Sequence, residues 1–229
     1  PESTPVSILK MLGWTDEDLD SKEIKDDLEN KRAYKLVDTC SAEFLSKTPY
    51  LYSTFGTSDD DSASKNKKVV VIGSGPNRIG QGIEFDYCCV HGVESLKENN
   101  YEAIMINSNP ETVSTDYDTA DKLYFEPLSW DEVKAVLARE KPDSVIIQLG
   151  GQTPLKLADK ISSAGYKIAG SSLDVIDATE DRDLFQKLCL SLNIDQPKSK
   201  ISFNEDELIS AVKEITYPVL LRPSYVLGG

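Results

Sequence analysis

Histidine is nearly absent from this chain, with His91 the only one, and none of the four cysteines (Cys40, Cys88, Cys89 and Cys189) forms a C-x-x-C pair. A Cys/His zinc site and a histidine-centred nucleophilic site both lack their residues. His91 falls within a helical pattern with no partner at metal-ligand spacing, and reads as structural. The cysteine count gives no disulfide framework, so a reducing, cytoplasmic setting is expected. No apolar run approaches the ~20 residues needed to span a bilayer. The first residues, Pro1-Glu2-Ser3-Thr4, show neither a basic nor a hydrophobic leader segment. Basic residues are also in deficit: 25 Lys and Arg stand against 39 Asp and Glu, a net charge of −14. That balance excludes a nucleic-acid backbone or an anionic membrane as the main partner. It leaves anionic small substrates open, because local arginines and helix N-termini capture phosphate within an acidic protein.

What is present suits a folded α/β protein. Across 229 residues, 39% are hydrophobic and 28% charged, enough to bury a substantial core. The β-branched run Val69, Val70, Val71, Ile72 breaks into a glycine-rich loop, GSGPNRIGQG over residues 73–82. A helical pattern follows, carried by Phe85, Cys89, Val93 and Leu96. Further candidate strands are 103–106, 145–147 and 167–169, near-continuously apolar and separated by helices. That pattern predicts a Rossmann-like parallel sheet covered on both faces. Ser129 with Glu132 three residues on reads as a capping box for a helix buried through Val133, Val136 and Leu137. Helices are predicted over 182–192 and 206–215, the latter with Leu208, Ala211, Val212 and Ile215 on its apolar face. A strand is predicted over 219–221.

Before this block, residues 1–55 read as short helices with acidic exposed faces, marked by Ile8, Leu9, Leu12, Trp14 and Leu19. Residues 56–68, rich in Ser, Asp and Lys, read as a linker in which Asp59, Asp60 and Asp61 are solvated surface. Adjacent Cys88 and Cys89 cannot easily face one metal, and Cys89 falls on the apolar stripe.

The glycine loop reads Gly73-x-Gly75-x4-Gly80, with Arg78 where a dinucleotide fingerprint places its third glycine. The second strand ends in Asn107 rather than in a ribose-binding carboxylate. No Gly-Lys-Ser/Thr follows, which rules out a Walker A loop. Two readings remain: glycines placed for tight packing, or a loop lining a substrate passage. Asn107, Asn109, Gln148 and the Gly150-Gly151-Gln152-Thr153 turn gather at the carboxyl edge of the sheet. There they either hold a small polar guest or satisfy loop backbone. Arg182 opens a helix beside Asp181 and Asp183, and Arg222 leaves an apolar strand just before Pro223. A structural ion pair and an anion site both fit these arginines.

Six ordered blocks carry a resemblance: GSGPNRIGQGIEFDY at 73–87, NSNPETVSTDYD at 107–118, YFEPL at 124–128, QLGGQTPL at 148–155, Glu180-Asp181-Arg182 with Phe185, and LRPSYVLGG at 221–229. Together they resemble the large chain of carbamoyl phosphate synthetase. Glu111 and the following STDYD resemble its second, carbamate-phosphorylating half. The resemblance implies four segments: 1–55 as the end of the helical oligomerisation region, 56–68 as linker, 69–178 as pre-ATP-grasp domain and 179–229 as the start of an ATP-grasp domain. It implies ATP-dependent phosphorylation of carbamate, with Arg182, Arg222, Gly228 and Gly229 at the ATP phosphates. No catalytic or metal-binding residue is assigned within the chain, and the Mg²⁺ ligands are expected outside it. The implied partners are the remainder of the large chain and a glutaminase that supplies ammonia, in a possible oligomer. The missing initiator Met and a last motif ending at Gly229 fit a piece of a longer polypeptide. Two rivals stay open: a non-catalytic Rossmann-like scaffold, and another ATP-grasp carboxylate ligase.

Overall fold

A computed structural model describes residues 8–9, 12, 14, 32–41, 43–44, 47–55 and 58–221. Two compact units divide the chain, one up to Leu173 and one from Asp174 onward.

The first unit is built on a six-stranded sheet of order β1-β2-β5-β4-β3-β6. The strands are β1 (Arg32–Leu36), β2 (Tyr50–Phe55), β3 (Lys68–Ile72), β4 (Glu102–Asn107), β5 (Lys122–Phe125) and β6 (Ser144–Ile146). All neighbours run parallel except β1 and β2, which form an antiparallel pair. Helix α1 (Glu84–Glu98) connects β3 to β4, and α2 (Trp130–Glu140) connects β5 to β6. Short helices α3 (Gln152–Leu155) and α4 (Ala158–Ser163) follow β6.

The β-branched and apolar residues of β3 and β4 are buried along their whole lengths, as a parallel strand covered on both faces requires. Each fully buried Val or Ile contributes roughly 1.5–3 kcal/mol. Cys89 and Val93 of α1 pack with Val71, Met105 and Leu123 in one apolar cluster. Burial raises the Cys89 thiol to about 12, with Asp86 adding to the shift, so Cys89 packs as a small hydrophobe. On α2, Val133, Val136 and Leu137 are fully buried, as their spacing predicts. Ser129 is the N-cap residue of that helix, but its hydroxyl binds the Glu132 carboxylate rather than a backbone N–H. The candidate strand at 167–169 reduces to a single parallel bridge between Ile168 and Val145.

The helical expectation for residues 1–55 is corrected over 32–55. Arg32–Leu36 and Tyr50–Phe55 are strands that extend the α/β sheet. Helix occurs at Ile8 and Leu9, and Leu19 lies outside the described residues. The pairing of β2 with β5 is short, only Tyr50 with Leu123 and Leu51 with Tyr124. Beyond it, the buried Glu126 carboxylate accepts the Ser53 backbone N–H at 2.5 Å and the Ser53 hydroxyl at 2.9 Å. A side chain thus replaces the carbonyls that a longer β5 would have offered.

The expected linker also differs from its composition. Asp59, Asp60 and Asp61 each pair with a cation, Arg139, Lys35 and Lys122 respectively. Lys68 is the first residue of β3 and is buried.

The second unit contains most of α5 (Leu173–Glu180), with α6 (Arg182–Ser191) and α7 (Glu205–Ile215). Asp181 caps α6 by accepting the Leu184 N–H at 2.9 Å, and Asn204 caps α7 by accepting that of Glu207 at 2.9 Å. On α7, Ala211 is buried while Leu208, Val212 and Ile215 are half-buried, the face expected from their spacing. The predicted strand at 219–221 is not formed, and Leu220 and Leu221 are exposed.

Candidate functional site

Strand order locates the site. From β3 the chain moves outward to β4 and β5 on one side, then returns to place β6 on the other. The loops after β3 and β6 therefore leave the sheet in the crevice where open α/β sheets hold ligands. In this chain the two loops approach each other closely at glycines. A Cβ on Gly150 would stand 2.6 Å from both the carbonyl carbon and the oxygen of Gly73. A Cβ on Gly73 would meet the Asn107 side chain at 2.6 Å. These glycines serve close packing at the switch point, where neither position has room for a side chain.

The neutral amides are consumed in the same way. Fully buried Asn107 accepts the N–H groups of Gly75 at 3.0 Å and Ser108 at 2.9 Å, and donates to the Ser114 hydroxyl at 3.3 Å. Asn109 accepts from the Glu111 N–H at 3.0 Å, and Gln148 from the Ser171 N–H at 3.2 Å. Asp86, in the first turn of α1, accepts the Ser114 N–H at 3.1 Å and so ties the 107–115 connection to that helix. The part of the loop facing outward is 76–80, where Ile79 is 95% exposed. His91 lies on the outer surface of α1, 2.9 Å from Glu94 and edge-on to Tyr87.

Gly150→Ala is expected to destabilise the first unit by about 1–3 kcal/mol, because the added methyl meets backbone that cannot rotate away. Urea unfolding should show a lower midpoint at unchanged slope. An unaltered midpoint would mean that the two loops are not held in contact.

Of the four residues expected at the ATP phosphates, Arg182 alone lies within the described residues; Arg222, Gly228 and Gly229 lie outside them. Arg182 is exposed at the first position of α6. The acids that could have formed its structural ion pair are engaged elsewhere. Asp181 caps the helix, and Asp183 binds Lys187 at 2.5 Å. The guanidinium is thus free of both neighbouring carboxylates and open to an anion from outside the helix. A groove of about 430 Å³ elsewhere on this unit is lined by Leu190, Ile194, Lys198 and Ile215, and Arg182 is not part of it.

Two family models match in succession. The carbamoyl phosphate synthase preATP-grasp domain covers residues 65–178, and the carbamoyl-phosphate synthase L chain ATP binding domain covers 181–229. The chain belongs to the carbamoyl phosphate synthase large-chain family. The large chain of Clostridium acetobutylicum is 57% identical over 87% of this chain and 19% of its own length. That of Archaeoglobus fulgidus is 50% identical over 100% of this chain and 22% of its own. That of Pseudomonas aeruginosa is 50% identical over 97% and 20%. The chain therefore spans about a fifth of the curated large chains it matches. The junction between the two family domains, at 178–181, falls at the start of α6 and close to the division between the compact units. Among solved structures, the biotin carboxylase domain of Hydrogenobacter thermophilus 2-oxoglutarate carboxylase aligns over 68% of this chain, at 15% identity and a TM-score of 0.47. That likeness is too remote to bear on the site.

Proposed function

We propose that this chain supplies part of the carbamate-phosphorylating half of a carbamoyl phosphate synthase, an ATP-dependent ligase. The observation that carries the reading is the succession of a preATP-grasp match and an ATP-binding match along one chain, in that order. The NPET-STDYD block at 109–118 supports assignment to the second half. ATP would supply the phosphoryl group and the driving force, and Mg²⁺ would offset the developing negative charge. The residues of this chain have a narrower task. Arg182 and Arg222 would hold phosphate oxygens by charge-assisted hydrogen bonds, and Gly228-Gly229 would let backbone lie close over them. The Mg²⁺ ligands would lie outside this chain.

The remaining partners belong to the same proposal. The rest of the large chain would complete the ATP enclosure, and a glutaminase would deliver ammonia to a bicarbonate-derived intermediate. The setting would be cytoplasmic, in keeping with four cysteines that are all free.

The isolated chain and the longer polypeptide containing it provide the test. Given ATP, bicarbonate and ammonia, the isolated chain is expected to form no carbamoyl phosphate, because it cannot enclose the reacting groups away from water. The longer polypeptide is expected to form it. Synthesis by the isolated chain, or none by the longer polypeptide, overturns the proposal.

A further inference from the structure

Among the described residues, strand β1 lies at one end of the sheet and pairs with a strand only on its β2 side. An open edge of this kind offers unpaired backbone groups to any second strand. Here the groups are taken by the acidic segment that follows β2. The Tyr34 N–H donates to Asp59 Oδ1 at 2.7 Å, and the Asp60 N–H donates to the Tyr34 carbonyl at 2.9 Å. The Leu36 N–H donates to Asp60 Oδ2 at 3.3 Å. Tyr34 and Leu36, two residues apart, are the positions whose backbone faces away from β2.

The segment is fastened from three sides by cations of different elements. Asp60 binds Lys35 of β1 at 2.7 Å, Asp59 binds Arg139 of α2 at 2.5 Å, and Asp61 binds Lys122 of β5 at 2.6 Å. Arg139 also donates to the Asp61 carbonyl at 2.5 Å, and Lys122 to that of Ser62 at 2.9 Å. Three consecutive aspartates in an ordinary surface loop would repel one another. In this chain each has its own cation, and two of them also replace strand backbone as acceptors.

We propose that residues 58–62 form an electrostatic strap that masks the β1 edge, and that releasing it opens this edge to antiparallel pairing with a second copy of the chain. The hydrogen-bond pattern carries this, since the strap occupies the positions a pairing strand would use. β1 of a second copy is a fitting replacement, because pairing centred on Tyr34 is self-complementary about a two-fold axis. The strap is also sensitive to ionic strength, as its side-chain contacts are ion pairs with partly exposed members.

The test compares the unmodified chain with one carrying Asp59→Asn, Asp60→Asn and Asp61→Asn. Amide exchange at Tyr34 and Leu36 and sedimentation mass are measured over a range of concentrations. In dilute variant, exchange at the two amides is expected to quicken about tenfold or more, while Val70 and Ile104 stay protected. At high concentration the mass should double relative to the unmodified chain, and both amides should become protected again. Unchanged exchange at Tyr34 and Leu36 overturns the proposal, as does quickened exchange at one constant mass. If Val70 and Ile104 also lose protection, the variant has unfolded, and the unmodified chain in rising salt decides. Screening is nearly complete at about 1 M, where the Debye length is about 3 Å. The same two-amide signature with a doubled mass is then required, and its absence overturns the proposal.

Discussion

Glu140→Ala is expected to destabilise the chain by about 3–5 kcal/mol, the cost of leaving a buried cation without its partner. Glu140 closes α2 at the foot of the sheet and is 2% exposed, as is Lys68 at the start of β3. Lys68 donates to Glu140 at 2.9 Å and to the Ser64 carbonyl at 2.8 Å. Tyr124 and Lys122 of β5 bind the other Glu140 oxygen, Lys122 at 3.3 Å. One carboxylate thus joins a helix end to two strands. Removing both charges should cost far less, so Lys68→Met with Glu140→Leu is expected to recover most of the stability lost in Glu140→Ala. Equal losses in the single and double variants would mean that cavity formation, not the stranded cation, sets the cost.

The same site predicts an acid limb. Burial alone pushes the Glu140 carboxyl up, but the hydrogen bonds of Tyr124 and Lys68 and the charges of Lys122 and Lys68 outweigh it, so it titrates below its ordinary value. A carboxylate depressed on folding contributes stability above its unfolded pKa of about 4.3, and the contribution fades as pH falls through the folded value. Glu126 has the opposite sign. Its burial outweighs the Ser53 hydrogen bonds and the Arg32 charge and raises it, so its contribution declines as pH rises. Glu140→Gln should therefore flatten the loss of stability below about pH 4.3, measured by urea midpoints across acid pH. A limb as steep as that of the unmodified chain would place the acid sensitivity elsewhere.

Arg182→Ala and Arg222→Ala, made in the longer polypeptide, should each lower carbamate phosphorylation roughly tenfold to over a hundredfold. A hydrogen bond from a charged donor is worth about 1.5–3 kcal/mol, and each 1.4 kcal/mol is a factor of ten. The reverse reaction, ATP formation from ADP and carbamoyl phosphate, reads this step directly. Bicarbonate-dependent ATP hydrolysis should largely survive, because the proposed site lies in the other synthetase half. The structure removes one objection to Arg182, since Asp181 and Asp183 are occupied by Leu184 and Lys187. Arg182→Lys keeps the charge but loses the planar fork, and its activity should fall between that of the unmodified polypeptide and that of Arg182→Ala. Equal loss of both activities, or loss of neither, returns Arg182 and Arg222 to structural roles.

Where the sequence was legible, the signal was local and periodic. β3 and β4 announced themselves as unbroken apolar runs, and α1, α2 and α7 as stripes at helical spacing. β5 was not anticipated, because Lys122–Phe125 is four residues long with no alternation to read. β1 and β2 were missed as well. Their residues, RAYKL and YLYSTF, mix charge, hydroxyl and aromatic groups and were drawn toward a helical region by resemblance. Their strand state depends on partners far along the chain: Glu126 for Ser53, and Arg139 through Asp59 for Tyr34. The expected 219–221 strand failed for the complementary reason, since an apolar run becomes a strand only where another strand accepts its hydrogen bonds.

The sequence by itself determined the family, the alternating α/β order and the residue types available for phosphate, because these reside in motifs and spacings that need no partner. Tertiary structure alone decided that the glycine loop packs closely against Gly150, that Asn107 is spent on backbone and the Ser114 hydroxyl, and that Asp59 and Asp60 of a linker-like stretch bond the β1 edge. Those outcomes depend on which groups meet across long separations, where a close approach at a glycine or a buried cation fixes the role and composition is silent.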